Sequence, residues 1–404
     1  MLVSPFTFFR GAAAVMAADL GPTPASGLRV QLCGDAHIAN FGGFAAPDRR
    51  LIFDLNDFDE TLPGPWEWDV KRLAASIEIA ARERGDKPET RREIVQASVR
   101  EYRTAMRHFA ELGNLEVWYA RMDLQGMEDR FGADVNDDDV KRLQRTVAKA
   151  QRKDSLRALA KLTHRVGGRL RFVSDPPLLV PIEELLPPDR AEFETETMTR
   201  LLASYAGSLQ GDRAYLLGSY RYVHIARKVV GVGSVGTRAW VVLLEGRDGN
   251  DPLVLQAKEA QASVLEPFAG ASEYSSHGQR VVAGQRLMQA ASDIFLGWDR
   301  APGIDGQPRD FYIRQLWDWK TSGDSTRMTD RGFGAYSRTC GWSLARAHAR
   351  TGDRLAISAY LGSGASFDKA IARFADAYAD QNELDYQALA DAVASGRIVA
   401  ERDV

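Results

Sequence analysis

Residues 28–60 read LRVQLCGDAHIANFGGFAAPDRRLIFDLNDFDE, and the fold turns on how that stretch is taken. Short apolar runs alternate with Gly and Asp, the pattern of strand, loop, strand, loop, with the second strand at 50–55. The loop Gly34–Asn40 carries Asp35 and Asn40 five positions apart, and the acidic turn Asp54–Glu60 follows the second strand. A carboxylate to accept a hydroxyl proton, an Asn and a second carboxylate to help hold Mg2+ form the donor set that phosphoryl transfer needs. The plainer readings are a polar turn and a solvated acidic turn. Asp57 is the candidate metal ligand, with Asp54 and Asp59 as rivals, because a one-residue slip reverses the face on which a strand side chain points.

Outward from this stretch, the spacing of Trp66, Val70, Leu73, Ala74, Ile77 and Ala81 predicts a helix after a Leu62-Pro-Gly-Pro65 breaker. Asp69 falls in its first turn, placed to bond a loop backbone or to pair with the helix dipole. Further helices are expected at about 88–111, 138–163 and 189–209, with an extended segment near 175–182. Lys141, Arg145, Lys149 and Arg152 share one helical face and read as solvated. Residues 212–320 are β-rich around one helix at about 274–291, and the chain is helical again from 331, where His348 lies.

Inside the β-rich block, Gly231-Val-Gly-Ser-Val-Gly236 satisfies G-x-G-x-x-G. A Rossmann fingerprint must open a helix. Here Thr237-Arg-Ala-Trp-Val-Val-Leu-Leu follows, which has strand propensity. No G-K-[ST] follows either, so a Walker loop fails. A strand, glycine loop and strand that covers nucleotide phosphates remains, with Gly231, Gly233, Ser234 and Gly236 as binding residues; a glycine-rich hairpin is the plain alternative. The next strand, Leu253-Val-Leu-Gln-Ala-Lys258, supplies a lysine for those phosphates. Its carboxylate partner is expected just ahead of the following helix, at Glu273, with Glu266 as the second candidate.

Composition narrows the classes. The chain has 404 residues, 52 Lys+Arg against 55 Asp+Glu, six His and two Cys. A formal charge of −3 removes the global electrostatic case for a nucleic-acid or anionic-membrane binder. Cys33 and Cys340 stand apart, which excludes a zinc finger or disulfide framework. No apolar run approaches the ~20 residues of a membrane span. Ser4-Pro5 and Gly21 bracket an ordinary packed helix rather than a signal peptide. These features give an expectation of a cytoplasmic protein with no membrane partner.

Two resemblances bear on function. The segments SPFTFFRGAA, LCGDAHIANFGGF, FDLNDFDETLPGPWEWDVKRLAAS, KVVGVGSVGTRAW and LQAKEA resemble a bacterial family known only as a domain of unknown function, over nearly the whole chain. The pattern G-D-x-H-x-x-N at 34–40 resembles the catalytic loop of the aminoglycoside phosphotransferase and choline kinase group, where His usually precedes it; here that position is Cys33. Asp57-Phe58 is similar to the D-F of the kinase metal motif. In kinases, however, the glycine loop and its lysine precede the catalytic loop, whereas here they follow it.

The resemblance therefore implies an α+β, protein-kinase-like two-lobed fold, circularly permuted. Its parts would be a helical lobe at 1–210 with the catalytic and metal loops, a nucleotide-binding β-rich lobe at 211–322, and C-terminal helices at 323–404 completing the helical lobe. The helix at 331–350 would then lie beside the Asp35 loop in space. The expected activity is ATP- and Mg2+-dependent phosphate transfer to an unidentified hydroxyl-bearing acceptor. Asp35 would act as base, Lys258 as phosphate anchor, and Asn40 and Asp57 as metal ligands. The alternatives are a nucleotide-binding pseudokinase or regulator and, because Asp35-x-His37 resembles a D-x-H metal pair, a metal-dependent phosphoesterase.

Overall fold

A computed structural model describes residues 1–132, 137–152, 159, 161–186, 191–229, 238–303, 305–316 and 323–400. Ser4 opens the first helix, its hydroxyl accepting from the Thr7 N–H at 3.2 Å. The single helix expected over 4–21 is instead two, α1 (Pro5–Arg10) and α2 (Ala13–Leu20), divided at Gly11-Ala12. A glycine destabilises a helix interior, and here it serves as the cap of α1.

The stretch at 28–60 forms β1 (Arg29–Leu32), the loop that carries Asp35, and the hairpin of β2 (Phe41–Ala45) and β3 (Leu51–Leu55). The segment read as a breaker is a strand, β4 (Leu62–Pro65), paired antiparallel with β1 in register Arg29↔Pro65 and Leu32↔Leu62. Proline is tolerated there because a two-stranded ribbon consists of edge strands.

Helix α3 (Trp66–Glu83) follows with its apolar stripe buried, and α4 (Pro88–Glu111) packs against it. Near the C-terminus, α7 (Asp330–Thr351) and α8 (Ser366–Ala394) close over α3 and α4. One hydrophobic core runs through these helices, from Phe9 and Leu32 through Trp66 and Phe109 to Leu344 and Ala379.

The β-rich block is a six-stranded antiparallel sheet. Its strands are β5 (Leu179–Pro181), β6 (Arg221–Lys228), β7 (Ala239–Glu245), β8 (Pro252–Ala260), β9 (Gly297–Pro302) and β10 (Pro308–Gln315), in the order β9-β10-β8-β7-β6-β5. Val, Ile, Leu and aromatic residues dominate the central strands, as a sheet covered on both faces requires. Helix α5 (Ala191–Ala206) covers one face, over Ile225, Val242 and Leu255. The opposite face carries Lys258 next to Tyr312 across the β8–β10 pair. Between β8 and β9 comes α6 (His277–Met288), whose apolar residues Val281, Val282 and Met288 enter the core of the helical part. The protein is thus mixed α+β with several sheets. Among the described residues, no helix is long and apolar enough to cross a membrane. Lys141 and Arg145 are exposed, while the side chains of Lys149 and Arg152 lie outside the described set.

Candidate functional site

The loop after β1 is held by one face of α3. Asp69 accepts from the N–H groups of Cys33 and Gly34 at 2.7 and 3.0 Å. One turn on, Arg72 Nε donates to Asp35 Oδ1 at 2.8 Å, and its Nη2, which donates to the Phe9 carbonyl, lies 2.7 Å from the same carboxylate oxygen. A further turn on, Ser76 Oγ accepts from the Ile38 N–H at 2.8 Å. Residues three and four apart share a helix face, so Asp69, Arg72 and Ser76 form a buried polar row that fits the loop residue by residue. Behind them His348 Nε2 lies 3.3 Å from Asp69, and its Nδ1 lies 2.9 Å from the Tyr102 hydroxyl. Helix α7 therefore sits beside the loop. Its last residue, Thr351, accepts from the Gln31 N–H of β1 at 3.3 Å.

Asp35 keeps part of its carboxylate accessible, whereas His37 is buried. Burial, reinforced by Arg72 and Arg10 against the opposing pull of Asp35, lowers the His37 pKa to about 4, so the imidazole is neutral near pH 7. Asn40 donates from its amide nitrogen to the Asp35 carbonyl at 2.7 Å, which leaves the amide oxygen as the end suited to a cation.

The acidic turn lies against this loop. Gly34 has φ +84°, and a Cβ there would fall 2.3 Å from the Glu60 carbonyl oxygen, so only glycine allows the two segments to meet. Cys33 Sγ donates to the Asp57 carbonyl at 3.1 Å. Burial and the nearby Asp69 raise the thiol pKa well above its ordinary value, so it stays protonated as that donor.

The three rival aspartates have separate surroundings. Asp54 is fully buried and takes both oxygens to Arg346 of α7 at 2.7 Å, while the Ala290 N–H donates to it at 2.8 Å. Asp59 receives Lys258 Nζ and, at 2.6 Å, the Tyr312 hydroxyl. The field of Asp57 is felt both by His37 and Cys33 of the loop and by Lys258, Tyr312 and Arg314 of the sheet. Asp57 and Asn40 are thus oxygen donors on neighbouring loops, the ligand type Mg2+ takes. Among the described residues there is no cluster of three or more His, Cys, Asp or Glu suited to a metal ion.

Lys258 is nearly buried. Burial alone would lower its pKa, but Tyr312, Asp57 and Asp59 outweigh that and hold it above the ordinary lysine range. Glu273, the partner expected from the sequence, is exposed ahead of α6. Glu266 lies on the short helix Glu266–Ala269, 4.0 Å from His277. Gly231, Gly233, Ser234 and Gly236 lie outside the described residues, between the antiparallel neighbours β6 and β7.

Helix α6 carries no acid, but it does present Arg280. This residue is 1% exposed and donates to the carbonyls of Thr61 at 2.6 Å and of Asp59 and Gln261 at 2.8 Å. Sequence reasoning passed over Arg72 and Arg280. Arg72 had a signal, since Asp69, Arg72 and Ser76 interrupt the apolar stripe of α3 at helical spacing. Arg280 had none, because its partners are backbone atoms distant in the chain.

Residues 1–392 match a family described as an uncharacterized protein conserved in bacteria (DUF2252). Neither a curated protein nor a solved structure matches the chain.

Proposed function

The chain belongs to this bacterial family, and from its own site we propose an ATP- and Mg2+-dependent phosphotransferase of kinase-like, circularly permuted architecture acting on a hydroxyl-bearing acceptor. One observation carries the reading. Lys258, on the sheet, reaches an acidic turn 199 residues away in the chain, and that turn lies against the Asp35–Asn40 loop. In this reading Lys258 and the glycine loop at 231–236 hold the nucleotide phosphates. Asn40 and Asp57 hold Mg2+, which supplies charge neutralisation on those phosphates. Asp35, fixed by Arg72, accepts the acceptor hydroxyl proton. Catalysis then comes from positioning and electrostatics rather than covalent chemistry by the protein.

The permuted order is supported by α7, whose last turn meets β1. In an unpermuted chain that helix would lead into the loop directly. The nucleotide lobe would then begin earlier than residue 211, because β5 is an outer strand of the six-stranded sheet and α5 covers that sheet's face, while the helical lobe would combine the N-terminal helices with α7 and α8.

The test is a thermal-shift titration with ATP and Mg2+. The wild type should be stabilised, by about 2.7 kcal/mol at a hundredfold excess over Kd. Lys258→Ala and Asp57→Ala should lose most of that shift. Asp35→Asn should keep it but produce no ADP. Absence of any nucleotide-induced shift in the wild type overturns the proposal. A nucleotide-binding regulator is the second reading, favoured by the absence of a carboxylate on α6. ATP binding without ADP formation across alcohol, sugar and peptide acceptors would select it.

A further inference from the structure

A lysine that orients phosphates needs a carboxylate to fix its ammonium group, because four rotatable bonds leave it otherwise undirected. The helix following the lysine strand is the expected source, yet α6 contributes an arginine to this region. That arginine ties its helix to the backbone of the acidic turn, at Asp59 and Thr61, and to Gln261 beyond the lysine strand. The carboxylate on Lys258 comes from the turn itself, and Tyr312 on the neighbouring strand fixes the other oxygen of that carboxylate.

We propose that Asp59 is the positioning residue for Lys258, doing from the acidic turn what a helix carboxylate would otherwise do, with Arg280 holding α6 to that turn. The proposal rests on the phosphotransferase reading and adds to it. Asp57 and Asp59, two residues apart, then divide the work, one facing the metal and the other the lysine. The lysine and the metal-binding turn also form one unit, so moving α6 alone does not separate the lysine from its acid.

A double-mutant cycle on nucleotide affinity tests this. ATP·Mg2+ binding would be measured by titration calorimetry for the wild type, Lys258→Ala, Asp59→Asn and the double variant, with Glu273→Gln as control. Lys258→Ala and Asp59→Asn should each weaken binding at least fivefold. Asp59→Asn should add less than twofold in the Lys258→Ala background, and Glu273→Gln should change nothing. Tyr312→Phe, which keeps the ion pair but frees one carboxylate oxygen, should give a smaller loss that also vanishes without Lys258; it serves as the readout should Asp59→Asn not fold. Equal losses from Asp59→Asn in both backgrounds would make Asp59 a metal ligand and overturn the inference alone, as would unchanged affinity in folded Asp59→Asn. A wild type that binds no ATP overturns the phosphotransferase reading and this inference with it.

Discussion

Two groups at the Asp35 loop, the buried His37 within it and the half-buried Glu60 against it, have pKa values displaced in opposite senses. Burial lowers His37 to about 4, and burial raises Glu60, which accepts from the Val264 N–H at 2.7 Å, to about 7. The native state keeps His37 neutral, so the stability it contributes is lost as pH falls from 6.5 through 4. It keeps Glu60 protonated, so that contribution is lost as pH rises from 4.5 through 7. The two slopes oppose each other over the same window, so these two contributions largely offset one another there. Glu60→Gln removes one of them. The variant should be more stable than wild type at pH 8 by on the order of 2–3 kcal/mol and about equally stable at pH 4.5. Denaturant melts at both values measure the difference, and an equal effect at the two pH values would contradict it. Nothing in the residue order announces either shift, since both arise from neighbours brought in by the fold. The placing of Asp35 and Asn40 on one loop is legible in the chain, because their spacing is local and survives folding.

At the scale of elements, Asp54 joins three of them. It stands on β3, accepts from the backbone just past α6, and pairs with Arg346 of α7, each partner being 1% exposed. Removing one member of a buried pair leaves an uncompensated charge. Arg346→Met should therefore cost about 3–5 kcal/mol, read as a shift in denaturation midpoint, whereas the double variant with Asp54→Asn should recover part of it. A loss within the noise would show that the pair does not join these elements. The helices at 66–83, 88–111 and 331–350 were legible because their apolar spacing is a property of the chain alone. The strand at 62–65 was not: two prolines argue against a strand, and its partner is an edge strand 30-odd positions earlier. The row of Asp69, Arg72 and Ser76 is intermediate. Helical spacing reveals that the three share a face, but not which loop they will meet.

For the whole molecule, the N-terminal segment packs against the middle of α8. The Tyr386 hydroxyl of α8 donates to the Leu2 carbonyl at 3.1 Å, and Asn382 donates to the Pro5 carbonyl at 3.1 Å. A permutant that opens between Gln210 and Gly211, with the old ends joined by about ten Gly/Ser residues (roughly 18 Å on average), should fold and bind ATP·Mg2+ as the wild type does. Circular dichroism melts and the same titration check it. Loss of folding would tell against permuted ancestry. The β-rich block was legible from its strand propensities and turns, but its docking onto the acidic turn rests on contacts hundreds of positions apart, which no local pattern encodes.

The prolines that disguised β4 have a consequence for crowding. Pro63 and Pro65 lie on the 29–32 ribbon, Pro181 ends β5, and Pro302 ends β9, and these last two strands are the outermost of the six-stranded sheet. A strand edge attracts other chains through its free N–H groups, and proline has none to offer. Each of these edges is thereby a poor template for strand addition, so a concentrated solution of this protein should resist edge-to-edge fibrillation.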